Sequence, residues 1–194
     1  MLEATIIYPH QLFKKSPAVC AGRPIYLVEE SLILTHNPIH RQKLVFHKLS
    51  LDSYQRDLEE AGHTVTRITL KEDVSKILEK DEVTSVHIVD TTDNYLETKI
   101  ADLDITRAWY DSPLFVLSKK EAVERFVNSK KFMAKFYKQL RQDKQILVDD
   151  TGEPIGGKWS FDEDNRKKLP KHIELPEDLA FFGNEATKEA EEWA

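Results

Sequence analysis

Cysteine is nearly missing from this sequence, which has Cys20 alone among 194 residues. A single cysteine excludes an internal disulfide and excludes an iron-sulphur cluster held only by cysteines of this chain. Long apolar runs are missing too, as is a charged-then-apolar N-terminal signal, so nothing in the sequence predicts a membrane span or secretion. We therefore expect a cytoplasmic protein with no membrane partner.

Several sequence motifs of cofactor and metal sites are also missing. No Gly-x-Gly-x-x-Gly follows the first apolar run, and no phosphate loop of the form Gly-x-x-x-x-Gly-Lys-[Ser/Thr] occurs. The histidines His36, His40 and His47 match no zinc spacing, so we predict no metal site. No serine, histidine and acid grouping stands out, and we assign no catalytic residue.

Positive charge is in deficit, with 28 Lys and Arg against 34 Asp and Glu and a formal net charge of -6. This balance argues against a chain that grips a phosphate backbone by itself. Hydrophobic residues make up 40% of the chain, which is ordinary for a soluble globular protein with a sizeable core.

Short apolar, β-branched runs alternate with helical patterns along the first 110 residues. Strands are predicted over 4–8, 24–30, 63–70, 83–90 and 108–110, and helices over 39–61, 73–79 and 94–101. In the longest helix the predicted buried face comprises Leu44, His47, Leu51, Tyr54, Leu58 and Ala61. Further helices are expected over 121–127 and 130–142, and the start of another over 185–193.

This alternation predicts an α/β fold, a Rossmann-like, doubly wound parallel sheet of five strands with helices on both faces. A helical and extended extension follows it. We place a Rossmann-like domain at 1–117, a helical extension with a glycine-containing segment at 118–166, and a linker with the start of a further domain at 167–194. In the extension, a helical stripe for core or interdomain packing is formed by Met133, Phe136, Tyr137 and Leu140.

Polar side chains follow the predicted strands at the edge where doubly wound sheets bind ligands. His10 and Gln11 follow the first strand, and Glu29 and Glu30 end the second. Gln11 can both donate and accept hydrogen bonds to a heterocycle, and Glu29 can hold a sugar or ribityl hydroxyl. The same edge also offers Asp90 and Thr91 after the fourth strand and residues 110–112 after the fifth, and all of these are candidate ligand contacts from the pattern alone.

A late segment, residues 156–166, combines a turn with two large aromatic residues. Gly156 and Gly157 favour a tight turn, and Trp159 and Phe161 then alternate with polar residues as in an extended segment with one apolar face. Asp162 can cap a helical turn. Physical reasoning alone interprets the segment as a turn followed by a hydrophobic clamp.

The same segment, Gly-Gly-Lys-Trp-Ser-Phe-Asp-Glu-Asp-Asn-Arg, resembles a signature of the deoxyribodipyrimidine photolyase-related proteins, the bacterial photolyases and cryptochromes that carry an iron-sulphur cluster. Their pattern is Gly-Gly-[Arg/Lys]-Trp-Asn-Phe-Asp-x-Glu-Asn-Arg. Ser160 and Asp164 depart from it. The signature positions kept here are Gly156, Gly157, Trp159, Phe161, Asp162, Asn165 and Arg166.

The resemblance extends over about residues 4 to 166. Residues 8–12 resemble the family's apolar-Gly-Asp-Gln-Leu opening, with His10 in place of the aspartate, and residues 132–141 resemble its Met-Glu-x-Phe-Tyr helix. Glu29, His40 and Lys43 fall where the family has a Glu, a His and basic residues near its pigment. Ile33 stands where some members have an acid that touches the pigment.

The resemblance implies an antenna domain, in which a ribityl lumazine or flavin-like pigment passes excitation to FAD. It further implies that FAD and a 4Fe-4S cluster belong to a helical C-terminal domain of the same parent chain, which would contact damaged DNA. The parent would be a DNA photolyase or a blue-light sensor, and this portion would not catalyse the reaction by itself.

Three hypotheses follow. The first is this antenna-type domain of a photolyase-related protein. The second is a stand-alone Rossmann-like module that binds a nucleotide or another small molecule in the same crevice. The third is a structural domain with an empty crevice, whose aromatic residues pack against a partner.

Overall fold

The computed structural model describes residues 2–162, 168, 170 and 172–174. The described chain divides into two compact units, one that ends at Val116 and one that begins at Leu117. Within the described residues, no helix is both long and apolar enough to cross a bilayer. The helix expected over 185–193 lies outside the described residues.

The first unit is built on a five-stranded parallel sheet in the order β3-β2-β1-β4-β5. The predicted α/β fold is therefore confirmed. The chain runs from β1 through β2 to β3 and then crosses back to β4 on the other side of β1. The strand order therefore reverses between β1 and β4, although all five strands are parallel. The strands are β1 (Leu2–Ile7), β2 (Ile25–Val28), β3 (Val65–Ile68), β4 (Val83–Val89) and β5 (Thr106–Tyr110).

Helices cover both faces of this sheet. Alternate strand residues point to opposite sides, so each strand supplies apolar side chains to both layers of helices. The helices of this unit are α1 (Ser31–Leu34), α2 (Arg41–Glu60), α3 (Val74–Lys80) and α4 (Asn94–Ala101). On one face Ile6 and Tyr8 pack with α3 and α4, and on the other face Ile7 packs with α2. Burial of each aliphatic side chain such as Ile6 or Ile7 contributes about 1.5–3 kcal/mol to the stability of the fold.

Local capping explains where the helices begin, and one helix was missed. The carboxylate of Glu30 accepts from the Leu32 N–H and caps α1, which at four residues is too short to show a period. His40 caps α2 by accepting from the Gln42 N–H. The placement of Ala61 on the buried face of α2 was wrong, because it is the exposed C-cap residue.

The second unit contains α5 (Lys119–Asn128) and α6 (Met133–Asp143) and has little apolar core. No side chain of α5 is buried, and Met133 and Tyr137 of the predicted packing stripe are exposed. The buried residues of the described part of this unit are Ser129, Arg141, Val148 and Pro154. Most apolar side chains of these helices are therefore available for contact with another surface.

Arg141 is the main polar anchor of the second unit. The residue is 6% exposed, and its guanidinium donates to the backbone oxygens of Ile146, Leu147 and Trp159. It also lies 5.1 Å from the ring centroid of Trp159. Because a guanidinium is planar with five donors, one side chain can fasten the segment after α6 at three points.

Arg141→Lys is expected to lower the free energy of opening of α6 by about 1–3 kcal/mol, since an ammonium cannot reproduce the forked contacts. Hydrogen exchange of the α6 amides measures this quantity. Arg125→Lys is the matched control, because Arg125 forms an exposed ion pair with Asp143 and should cost at most about 0.5 kcal/mol. Equal losses in the two variants would contradict the anchoring role.

Candidate functional site

The carboxyl ends of β1 and β4 lie side by side where the strand order reverses, and Gln11 lies there. Its amide nitrogen donates to the Val89 carbonyl at 2.8 Å, and its amide oxygen accepts from the Tyr8 N–H at 3.3 Å. The side chain is 2% exposed. The amide that we predicted to contact a ligand thus joins the loop after β1 to the end of β4.

His10 lies beside Gln11 and is fixed in one tautomer. Its Nε2 is 2.8 Å from the Thr91 carbonyl oxygen, which can only accept, so Nε2 carries the hydrogen. Nδ1 is then an acceptor, and it is buried without a partner among the described residues. Burial lowers the pKa of His10, although the Thr91 hydrogen bond and Asp93 act in the opposite direction.

The two carboxylates at the end of β2 are engaged in separate contacts. Glu29 accepts from Arg67 at 2.9 and 3.0 Å and from the Leu70 N–H at 3.3 Å. Glu30 is 1% exposed and pairs with Lys99 at 2.9 Å. Both therefore join neighbouring elements of the sheet unit.

The three remaining predicted pigment contacts lie on the helices after β2. Ile33 belongs to α1 and packs against the core beside the sheet. His40 caps α2, and Lys43 is exposed in its first turn. The structure therefore brings His10 and Gln11 together and places Glu29 and Glu30 at the end of the neighbouring strand. The other three lie on α1 and at the start of α2.

A groove of about 1130 Å³ lies between the loop after β1 and α2. Its lining contains Pro9, His10, Leu12, Phe13, Phe46, His47, Leu49, Ser50, Ser53, Tyr54, Arg56, Asp57, Glu60 and Leu114. Phe46 is 67% exposed, and the Tyr54 hydroxyl donates to the Phe13 carbonyl at 3.0 Å. The groove combines aromatic rings with hydroxyl and charged groups, as small-molecule sites do.

Sequence reasoning missed most of this lining. Phe46 lies outside the periodic apolar face of α2. A large aromatic residue outside that face was the one signal that the sequence offered, and the structure shows Phe46 exposed. His47 was predicted on the apolar face of α2 and among the histidines that match no zinc spacing, but not as part of a groove; it is half-buried. Its pKa is lowered by partial burial and by the nearby Lys43.

The glycine-containing segment belongs to the second unit. Gly156 and Gly157 have φ of 90° and 75°, so the predicted glycine turn is confirmed. A Cβ at Gly156 would lie 3.2 Å from the Phe161 ring, so glycine also makes room for that ring. Trp159 is half-buried beneath Lys138 and Arg141, whereas Phe161 and Asp162 are exposed. Asn165 and Arg166 lie outside the described residues.

Metal-binding geometry is not found in the part of the chain that the structure describes, where no three His, Cys, Asp or Glu side chains cluster suitably.

Comparison with known proteins identifies relatives of this chain. The family model of the deoxyribodipyrimidine photo-lyase-related proteins matches residues 5–194. The uncharacterized protein R852 of Acanthamoeba polyphaga mimivirus is 28% identical over 193 aligned residues, which cover 89% of this chain and 98% of the viral protein. The family resemblance predicted from the sequence is confirmed, and its iron-sulphur subclass stays a prediction.

Gln11→Leu is expected to lower the free energy of unfolding by about 2–3 kcal/mol, because it removes the buried partner of Tyr8 N–H and Val89 C=O. Urea unfolding measures the change. Gln42→Leu is the matched control, since Gln42 is exposed on α2 and should change stability by about 0.5 kcal/mol or less. A loss below about 1 kcal/mol at Gln11 would show that this amide is not a structural link.

Stability should depend on pH through His10. Because burial lowers its pKa in the folded protein, the neutral form is favoured there. This contribution is complete above the unfolded pKa of about 6.5 and is lost as the pH falls below it. Urea unfolding at pH 7.5 and 5.5 should show a smaller pH-dependent loss in His10→Asn than in the wild type. His36→Asn, at an exposed position, should retain the full loss. An unchanged loss in His10→Asn would contradict the assignment.

Proposed function

This chain belongs to the deoxyribodipyrimidine photolyase-related protein family, and we propose that it serves there as the antenna-type, ligand-holding domain. The proposed ligand is a flavin-like or ribityl lumazine ring system, and the proposed site is the groove between the loop after β1 and α2. The domain itself makes and breaks no bonds. It would support a protein that repairs DNA with light or senses blue light.

The observation that carries this proposal is the aromatic lining of the groove. Phe13 lies on the loop side, and Phe46 and Tyr54 lie on α2. Planar heterocycles stack on such rings, and each stacked ring contributes about 1–3 kcal/mol. A groove of about 1130 Å³ has room for a two- or three-ring system and its side chain.

The spacing of polar residues along α2 suits a hydroxylated side chain. Phe46, Ser50, Ser53 and Asp57 follow one another at intervals of four, three and four residues, which places them on one helical face. A ribityl chain beside the stacked ring would meet hydroxyl and carboxylate groups in succession. This surface replaces the strand-end crevice as our proposed site, because Gln11, Glu29 and Glu30 already have partners within the protein.

His10 would determine the orientation of the ring. Its Nδ1 needs a donor, and the lactam N–H of a flavin or lumazine is one. A neutral imidazole keeps this nitrogen an acceptor at neutral pH, consistent with its lowered pKa. The histidine would thus take the accepting role of the aspartate that the family has at this position.

The helical unit would supply the surface for a further domain. Val123 and Val127 of α5 and Met133 of α6 are between 55% and 64% exposed. A FAD-binding domain, with FAD and a 4Fe-4S cluster of its own, is the partner that the family implies, and damaged DNA would be contacted through it. The viral relative is matched over 98% of its length, so that protein has little chain beyond the matched region.

A titration of the purified chain with riboflavin and with a ribityl lumazine, followed by ligand fluorescence, tests the proposed function. Phe46→Ser should weaken binding about tenfold, since stacking contributes about 1–3 kcal/mol. Phe132→Ser is the matched control, because Phe132 is 65% exposed and lies on the other unit.

A second titration tests the proposed hydrogen bond from the ring N–H to His10. An N3-methyl riboflavin, which lacks that N–H, should bind about tenfold more weakly than riboflavin to the wild type and equally well to His10→Phe.

The alternative function is binding of a nucleotide in the same groove, which any aromatic lining favours. Tighter binding of adenosine or AMP than of riboflavin would favour that second candidate. No saturable binding of any of these ligands would overturn both, and equal losses in Phe46→Ser and Phe132→Ser would place the ligand elsewhere.

A further inference from the structure

A second cleft, of about 420 Å³, lies on the opposite flank of α2, where β2 and β3 end. Its lining contains Glu29, Lys48, Asp52, Gln55, Arg67, Thr69, Leu70 and Lys71. None of these residues lines the aromatic groove. The cleft is therefore a separate site, and its lining is mostly charged.

Positive charge exceeds negative charge in this cleft. Among the lining residues three cationic side chains face two carboxylates, a difference of one positive charge, while the exposed carboxylate of Glu72 borders the cleft, where it accepts from Thr69. Glu29 pairs with Arg67 at 2.9 Å, and Asp52 pairs with Lys48 at 2.7 Å. Lys71 is exposed and makes no ion pair among the described residues. A bound cation would increase this surplus, whereas an anion would neutralise it.

Arg67 also has a hydrogen-bond donor that the protein does not use. Its Nε and Nη2 both donate to Oε1 of Glu29, and Nη2 is 3.9 Å from Oδ1 of Asp52. Nη1 is buried and has no acceptor among the described residues. A buried donor of a permanently charged group is costly to leave unpaired, which makes an oxygen acceptor at this point favourable.

We propose that this cleft binds a small oxyanion, either a carboxylate or a phosphate group, through Arg67, Lys48 and Lys71. Because Nη1 is buried, the anion reaches it when the partly exposed pair of Lys48 and Asp52 opens, and Lys48 then follows the anion. In this arrangement Asp52 competes with the ligand for both cations. The size of the cleft lies within the range of small-molecule sites.

Titration calorimetry of the full chain with inorganic phosphate and with acetate, at constant ionic strength in chloride, tests the proposal. The two probes distinguish a phosphate source from a carboxylate source. Lys48→Met should weaken the tighter-binding probe about tenfold through the loss of a charge-assisted hydrogen bond. Asp52→Asn should strengthen it by a similar factor, because it removes the competing carboxylate.

Lys76→Met is the matched control, since it removes one exposed positive charge on α3, outside the cleft, and should leave the affinity unchanged. Lys71→Met, at an exposed position, replaces Lys48→Met should that variant fail to fold. Saturable binding with opposite changes at Lys48 and Asp52 is the expected result. No binding above chloride, or equal losses in Lys48→Met and Lys76→Met, would overturn the proposal. Riboflavin binding in the aromatic groove is measured separately, so failure of either site is distinguishable.

Discussion

The buried amide of Gln11 is the interaction on which the functional edge of the sheet depends. A parallel sheet covered on both faces leaves its polar backbone groups to be satisfied at the strand ends. The chain leaves β1 at the point where the strand order reverses. There the Gln11 side chain pairs with Tyr8 N–H and Val89 C=O. The positions of His10 and of the loop that borders the groove follow from this link.

Once this edge is satisfied from within, the location of a ligand site changes. Gln11, Glu29 and Glu30 are 2%, 8% and 1% exposed, and each has a partner within the protein. A ligand that displaced those partners would have to repay the cost of leaving buried groups unpaired. Stacking on the ring of Phe46, which is 67% exposed, displaces no buried polar partner, and this is the reason we propose the flank of α2 as the site for a planar ligand.

The fold was predictable because its signal is local. Periods of two and of 3.6 residues placed the five strands and α2, and the helix predicted over 94–101 has the bounds observed for α4. The site was less predictable because its contacts join distant parts of the chain. Gln11 meets Val89 across 78 positions, and Glu30 meets Lys99 across 69. A polar residue at a strand end has the same sequence pattern whether it binds a ligand or another part of the protein.

The two units are stabilised by different means, and this difference bears on function. The sheet unit buries aliphatic side chains on both faces and needs no partner to do so. The helical unit instead fastens its backbone through Arg141, which donates to three carbonyls, while Phe132 and Met133 remain exposed. Residues 130–142 contain five Lys and Arg and no Asp or Glu, so this part of the helical unit is basic as well as partly apolar. Backbone fastened by these polar contacts can hold its conformation without a large apolar core, which explains how the unit is ordered while Phe132 and Met133 stay exposed.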